Sequence, residues 1–312
     1  MSLFALLAAL MLEQFHPLSS RKYLYGWLAN YVNYFQQQFN AGERRHGRMA
    51  WLLAVLPITL LAVLLFWLLY RLHPVLAWTL DVVVLYLTMG FRQFSHYFRE
   101  IYEALRGGNL NEARRVLGNW SGMSTPELNS EEVARVTIEQ ALLASHRNVF
   151  AVIVWFVLFS VLGLGGAAGA LFYRLGQFLG EHWGRAPVSE LGAFGAFARE
   201  VDRYLEWLSV RLLALTFAIV GDFENTVYCW RTQAAQWSSL DAGILLASGA
   251  GSLGVRLGMP IPQEGQLIDR AELGTGDEAD ADYMQSTIGL VWRSVVFWLL
   301  LLGMLTLANF LS

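Results

Sequence analysis

The sequence predicts an all-α, polytopic integral membrane bundle of about five spans with helical loops on the cytoplasmic side. Three observations carry this. Of 312 residues, 55 % are hydrophobic and only 15 % charged, against roughly 25 % charged in water-soluble domains. The stretches 50–70 and 149–173 hold no charge over 21 and 25 residues, and 289–311 holds only Arg293 in 23; each exceeds the ~20 residues that cross a bilayer core. The basic residues, finally, are distributed unevenly between the connections that these spans define.

Taken in order, the 3–12 run is apolar but short, and it lacks a basic leader and a small-residue cleavage site. It reads as an interfacial or re-entrant helix rather than a signal peptide. Spans are expected at 50–70, 74–91, 149–173, 204–220 and 289–311, the second holding Asp81 and the fourth Glu206 and Arg211. With five spans, 21–48, 92–147 and 221–288 share one side and carry fifteen basic residues, against five on the other. That excess places the large connections in the cytoplasm. The chain reads as one membrane domain, residues 1–312.

Within 92–147, Phe94, Tyr97, Phe98, Ile101, Tyr102 and Leu105 recur at helical spacing, the pattern breaks at Gly107-Gly108, and it restarts at Asn109. This predicts a helical hairpin. Asn129 with Glu132 three residues on predicts a capped helix over 131–147 that runs into the third span. The 221–288 connection reads as a Gly-rich and acidic loop, solvated from Met259 to Tyr283. Cys229 is the one cysteine, so neither an internal disulfide nor a Cys-based zinc site can form. A net charge of −3 and the lack of a basic, aromatic-interleaved surface argue against nucleic acid as a partner. The expected partner is the lipid bilayer, and a homo-oligomer is compatible with the composition.

Several clusters have residue types suited to chemistry. Arg92 and His96, four apart with Ser95 and Arg99, form a helix face for a phosphate or carboxylate, although a basic face against lipid headgroups is the plainer reading. Asp81 and Arg211, ionisable groups in apolar spans, are expected to pair and hold two helices in register. Arg293 can snorkel to the membrane surface. Glu139, Ser145, His146 and Arg147 read as the polar end of a span; His146 lacks a partner at metal-ligand spacing. Asp222 and Glu224, with Arg231, are the candidates for a Mg²⁺ site at a span mouth, against the commoner reading of a solvated helix end. The acidic 269–282 run reads as solvation. No Ser-His-Asp, Cys-His or P-loop arrangement is visible.

Gly249-Ala250-Gly251-Ser252-Leu253-Gly254 has the spacing of a dinucleotide-binding loop, but Gly258 and Pro260 stop the long helix that such a loop must open. Two readings stay open. Gly249, Gly251 and Gly254, with Arg256, form a backbone cradle for an anion, or they form a tight turn or small-residue helix contact.

These motifs in order resemble the CobD/CbiB cobalamin-biosynthesis family and its relative AmpE. The likeness covers most of the chain and is strongest in GAGSLGVRLGMP, then Gly265, AELGTG and LVWRS. YEALRGGNLNEARRVL, EEVARVTIEQ, GALFYRL and EWLSVRLLAL occur in the family's order, while MSLFALLAALMLEQ looks more like AmpE. The resemblance implies an inner-membrane, ATP-dependent synthase that joins aminopropanol phosphate to adenosylcobyric acid, with Mg²⁺ and a corrinoid substrate. It implies catalytic roles for Glu139, Asp202 and Arg211 and a substrate-binding role for Arg174. The family's other acids fall at Leu143, Arg147, Gly180 and Arg203, which would remove most of a metal-and-ATP site. The alternative is a non-catalytic, AmpE-like modulator of cell-wall stress and β-lactamase induction. A transporter is disfavoured because no inverted repeat is visible.

Overall fold

The structure, a computed structural model, describes residues 2–15 and 21–311. It is almost wholly helical: α1 (Ser2–Phe15), α2 (Arg21–Phe39), α3 (Arg44–Leu72), α4 (Pro74–Thr88), α5 (Phe91–Arg106), α6 (Leu110–Ser121), α7 (Ser130–Ser145), α8 (Ala151–Val161), α9 (Gly166–Leu179), α10 (Val188–Leu191), α11 (Ala196–Val220), α12 (Phe223–Gln233), α13 (Leu240–Leu253) and α14 (Ala281–Leu311). Among the described residues, three helices are long and apolar enough to cross a membrane, Arg44–Leu72, Ser130–Val161 and Ala281–Ala308. Shorter apolar helices are Leu3–Phe15, Pro74–Thr88 and Leu240–Leu253. The all-α membrane bundle is what the charge-free runs foretold.

The chain forms two compact units, one from residues up to Met89 with Ala151–Leu208, the other from Gly90–Phe150 and Ser209–Leu307. In the first, α3 is 29 residues long, about 43 Å at 1.5 Å per residue. One stripe, Ala50, Trp51, Ala54 and Val55, is buried in a core with Leu175, Phe178, Leu179, Trp183 and Phe194. Its other face, with Leu60, Leu61 and Leu64, is exposed, as a helix bathed in hydrocarbon requires. Gly47 lets the backbone of Phe194 approach so closely that a Cβ would lie 1.8 Å from its carbonyl oxygen.

The 149–173 run is not one span. A π-helical turn covers His146–Phe150, α8 ends at Val161, and the chain reverses through Gly163 and Gly165, both at positive φ, before α9 starts at Gly166. Hydropathy cannot register a reversal made of glycines, because they are as charge-free as the helices they separate. Gly166 and Gly169 pack directly on Phe156 and the Trp155 carbonyl, the small-residue contact that brings apolar helices together. Asp81 is buried in α4 and accepts from the Ala167 N–H at 2.8 Å, placing a carboxylate at the positive end of α9.

In the second unit the foreseen hairpin forms: α5 stops at Gly107, Gly108 takes φ +71°, and Asn109 caps α6 by accepting from the Glu112 N–H at 3.2 Å. The capping box of α7 is also present, with Asn129 Oδ1 accepting from Glu132 N–H at 2.8 Å and Glu132 accepting from Asn129 N–H at 2.7 Å. The 221–288 connection, expected as a loop, is largely ordered secondary structure. It holds α12, the buried α13 and two small antiparallel pairs, β1 (Leu257–Gly258) with β4 (Glu272–Leu273) and β2 (Ile261–Gln263) with β3 (Gln266–Ile268). Glu264 and Gly265 both take positive φ between β2 and β3, which is the two-residue turn that matches strand twist.

Candidate functional site

Gly249 and Gly251 lie inside α13, so of the two readings left open the helix contact is the one realised. A Cβ on Gly249 would meet the Leu142 side chain at 2.6 Å, and one on Gly251 the Asn225 carbonyl oxygen at 2.5 Å. Their N–H groups belong to the helix ladder and cannot cradle an anion. Gly254 ends α13 in the left-handed conformation at φ +68°, and the chain leaves it into β1.

β1 carries the backbone to a buried carboxylate. Glu139 projects from the third turn of α7 with its side chain 3 % exposed. Oε1 accepts from the Gly258 N–H at 2.8 Å, and Arg270 Nη1 and Nη2 donate to Oε2 and Oε1 at 2.8 and 3.1 Å. Arg270 also donates to the carbonyls of Met259 (Nε, 3.1 Å) and Gly258 (Nη2, 2.8 Å), and its guanidinium lies over the Trp237 ring at 5.5 Å. This fork-to-carboxylate geometry is the one that arginine makes best.

The backbone around the pair is strained. Gly258 takes φ +72° with the Ala271 oxygen 1.9 Å from where a Cβ would be, and Met259 takes φ +62°. A non-glycine residue in that region costs on the order of 1–3 kcal/mol, and here the Arg270 contacts and the Met259 N–H bond to Ala271 at 3.2 Å hold it. One turn before Glu139, Arg135 is buried at 6 % exposure. Its Nη2 reaches the Pro260 carbonyl at 3.4 Å, and its Nε is buried without a partner.

The other singled-out residues are spread over both units. Asp81 is held by Ala167 as described, while Arg211 Nη1 meets Asp241 Oδ1 at 2.9 Å in the first turn of α13, so each has a partner other than the one expected from sequence. His146 Nε2 and Ser209 Oγ share a buried 2.8 Å hydrogen bond. Arg256 reaches Glu278 at 3.3 Å and Glu272 at 3.9 Å, ordinary pairs at a half-exposed edge. Arg92 and His96 are exposed on α5, and His96 lies 3.6 Å from Glu100.

In the first unit, Arg174 is buried, donates to Gln177 Oε1 at 3.1 Å, and donates to the Thr88 carbonyl. Asp202 lies across Gly180, where a Cβ would come within 2.6 Å of its Cγ. An aspartate at 180 therefore has no room beside Asp202 as placed.

Asp222 is the N-cap of α12, accepting from the Asn225 N–H at 3.0 Å and from Asn225 Nδ2 at 2.8 Å. These two bonds hold its carboxyl below the usual carboxylate range. Both oxygens are thus engaged, Glu224 is exposed beside it, and no group of three or more His, Cys, Asp or Glu side chains gathers among the described residues. A Mg²⁺ ion there would take one or two carboxylates from the chain and its remaining ligands from a substrate phosphate and water.

Sequence reasoning singled out Glu139 but missed Arg270, Arg135 and Gly258. Arg135 and Glu139 at i and i+4 on a helix whose neighbours Val133, Ala134, Val136 and Ile138 are apolar were a usable signal. Arg270 was not, since 131 residues separate it from its partner.

The chain matches the family model described as CobD/Cbib protein over residues 3–291. It is 38 % identical over 291 residues to the cobalamin biosynthesis protein CobD of Stutzerimonas stutzeri, covering 92 % of this chain and 90 % of that protein. It is 37 % identical over 255 residues to the CobD protein of Chromobacterium violaceum (82 % and 78 % covered), and 27 % identical over 239 residues to the cobalamin biosynthesis protein CbiB of Salmonella typhimurium (74 % and 72 %). No solved structure matches. The AmpE likeness of the first residues gains no support from these relatives. Matched across nearly its whole length, the chain belongs to the CobD/CbiB protein family.

Proposed function

We propose that this protein acts in cobalamin biosynthesis at the amide-forming step, joining aminopropanol phosphate to a carboxylate of adenosylcobyric acid, in the bacterial inner membrane with its arginine-rich connections in the cytoplasm. The observation that carries the reading is the 38 % identity to a CobD protein over nine-tenths of both chains. Amide formation from a free carboxylate is uphill in water and draws on ATP through an activated acyl group. No step is assigned to Asp222 and Glu224. What the built site offers is charge: the fork of Arg270 holds the Glu139 carboxylate, and Arg135 lies buried beside the pair.

The test is growth of a cobalamin-requiring bacterial strain that lacks its own CobD/CbiB protein. Expression of this chain is expected to restore growth on cobyric acid, while cobinamide, the product-level compound, restores growth without it. Membrane-inserted protein that fails to rescue on cobyric acid in a strain that cobinamide does rescue would refute the assignment. Purified protein in detergent is also expected to bind the corrinoid, seen as a shift in its visible spectrum.

A further inference from the structure

Where α7 meets the β1–β2 segment, Arg135 and Glu139 are buried and Arg270 is largely so, and the three charges do not cancel. Arg135 and Arg270 each carry a positive charge and Glu139 the single negative one. Glu139 is taken up by the fork of Arg270 and by the Gly258 N–H. Arg270 in turn spends its donors on Glu139, Gly258 and Met259. Arg135 is left with one long contact to the Pro260 carbonyl and a buried Nε that meets nothing. The carboxylates that approach from outside are Glu132, which closes the capping box on Asn129, the exposed Glu131, and the exposed Glu278, which shares a hydrogen bond with Glu131 and pairs with Arg256. Solvent screens all three. A buried guanidinium with unfilled donors is costly, and an oxyanion is the group that fills them.

We infer that Arg135, held beside the Glu139–Arg270 pair, is an oxyanion subsite for a small ligand carrying a carboxylate or phosphate group. The clamp explains the arrangement: Arg270 binds both oxygens of Glu139, so the Arg135 Nε is left for an anion. The buried charge of +1 is neutralised by one singly charged oxyanion. The subsite rests on these contacts alone; identifying its anion with a substrate of amide formation rests on the proposed function.

The experiment uses the full-length protein in detergent at fixed ionic strength, with sodium acetate, methyl phosphate or chloride as the probe. Thermal unfolding is measured for the wild type, Arg135→Gln and Arg135→Lys, and backbone hydrogen exchange over 257–270 for the wild type. Acetate or methyl phosphate is expected to raise the unfolding midpoint above that in chloride and to slow exchange over 257–270 by roughly threefold or more. The shift should vanish in Arg135→Gln and persist in part in Arg135→Lys, and the anion giving the larger rise identifies the group. Equal responses to chloride and the oxyanions in the wild type, or an undiminished oxyanion response in Arg135→Gln, overturn the inference. Should Arg135→Gln not fold, the wild-type exchange decides. The assay involves no corrinoid, so rescued growth without an anion response removes the subsite alone, and an anion response in a chain that never rescues removes the biosynthetic reading alone.

Discussion

Replacing Glu139 by Gln keeps the shape of the side chain and removes its charge. Arg270, whose side chain is 14 % exposed, would then face a neutral amide, with Arg135 buried one turn away. Two of the three hydrogen bonds to the carboxylate come from Arg270 and one from Gly258. An amide oxygen in the place of Oε1 keeps the bonds from Gly258 and Arg270 Nη2, while its NH₂ opposes Arg270 Nη1.

Breaking a buried pair from one side costs about 3–5 kcal/mol, because the surviving charge is left uncompensated. Total stabilities are only about 5–15 kcal/mol, so the variant should lose a large fraction of its stability. Exchange protection should be lost first over 257–270, where Arg270 fastens the strained Met259 turn. The decisive assay is a double-mutant cycle of Glu139→Gln, Arg270→Met and both, by unfolding in detergent. The double variant is expected to cost less than the sum of the singles by more than about 1 kcal/mol. Additive losses, or a Glu139→Gln cost below about 1 kcal/mol, would show that the pair is not electrostatically closed and refute the reasoning.

Gly251→Ala pushes a Cβ to 2.5 Å from the Asn225 carbonyl oxygen, and overpacking of this kind should cost about 1–3 kcal/mol by thermal unfolding; Gly265→Ala, with nothing within 4 Å, pays only for its positive φ and should cost less. Asp81→Ala removes the acceptor for the Ala167 N–H and should lower stability by about 0.5–2 kcal/mol, with Asp81→Asn retaining most of it; equal losses in the two would mean that charge, not hydrogen bonding, matters there. Because Asn225 holds the Asp222 carboxyl below its ordinary range, its stabilising effect is present above the unfolded value of about 3.9 and fades as pH falls through the lowered one. Acid-induced loss of exchange protection at the start of α12 should accordingly be weaker in Asp222→Asn, and an unchanged pH profile would contradict the cap.

The amino-acid sequence by itself determined the solvent of this protein and much of its local grammar. Charge-free runs longer than a bilayer core leave few alternatives to membrane helices, and the Gly107-Gly108 break and the Asn129–Glu132 box are written in adjacent residues, so both hairpin and cap were legible. Composition could not distinguish an apolar helix from an apolar turn. For that reason the reversal at Gly163–Gly165 reads as part of one span, and α13, apolar but rich in glycine, as loop.

The site was legible in part. Glu139 was identified, yet its chemistry depends on Arg270 and Gly258, which arrive from more than 100 residues away. Two lone charges in apolar segments invite pairing, yet the fold gives Asp81 to a helix N-terminus and Arg211 to Asp241. Local rules act over a turn or two of helix. Which distant charge neutralises which, and which is left over, is decided only when burial removes the water that would otherwise satisfy them all.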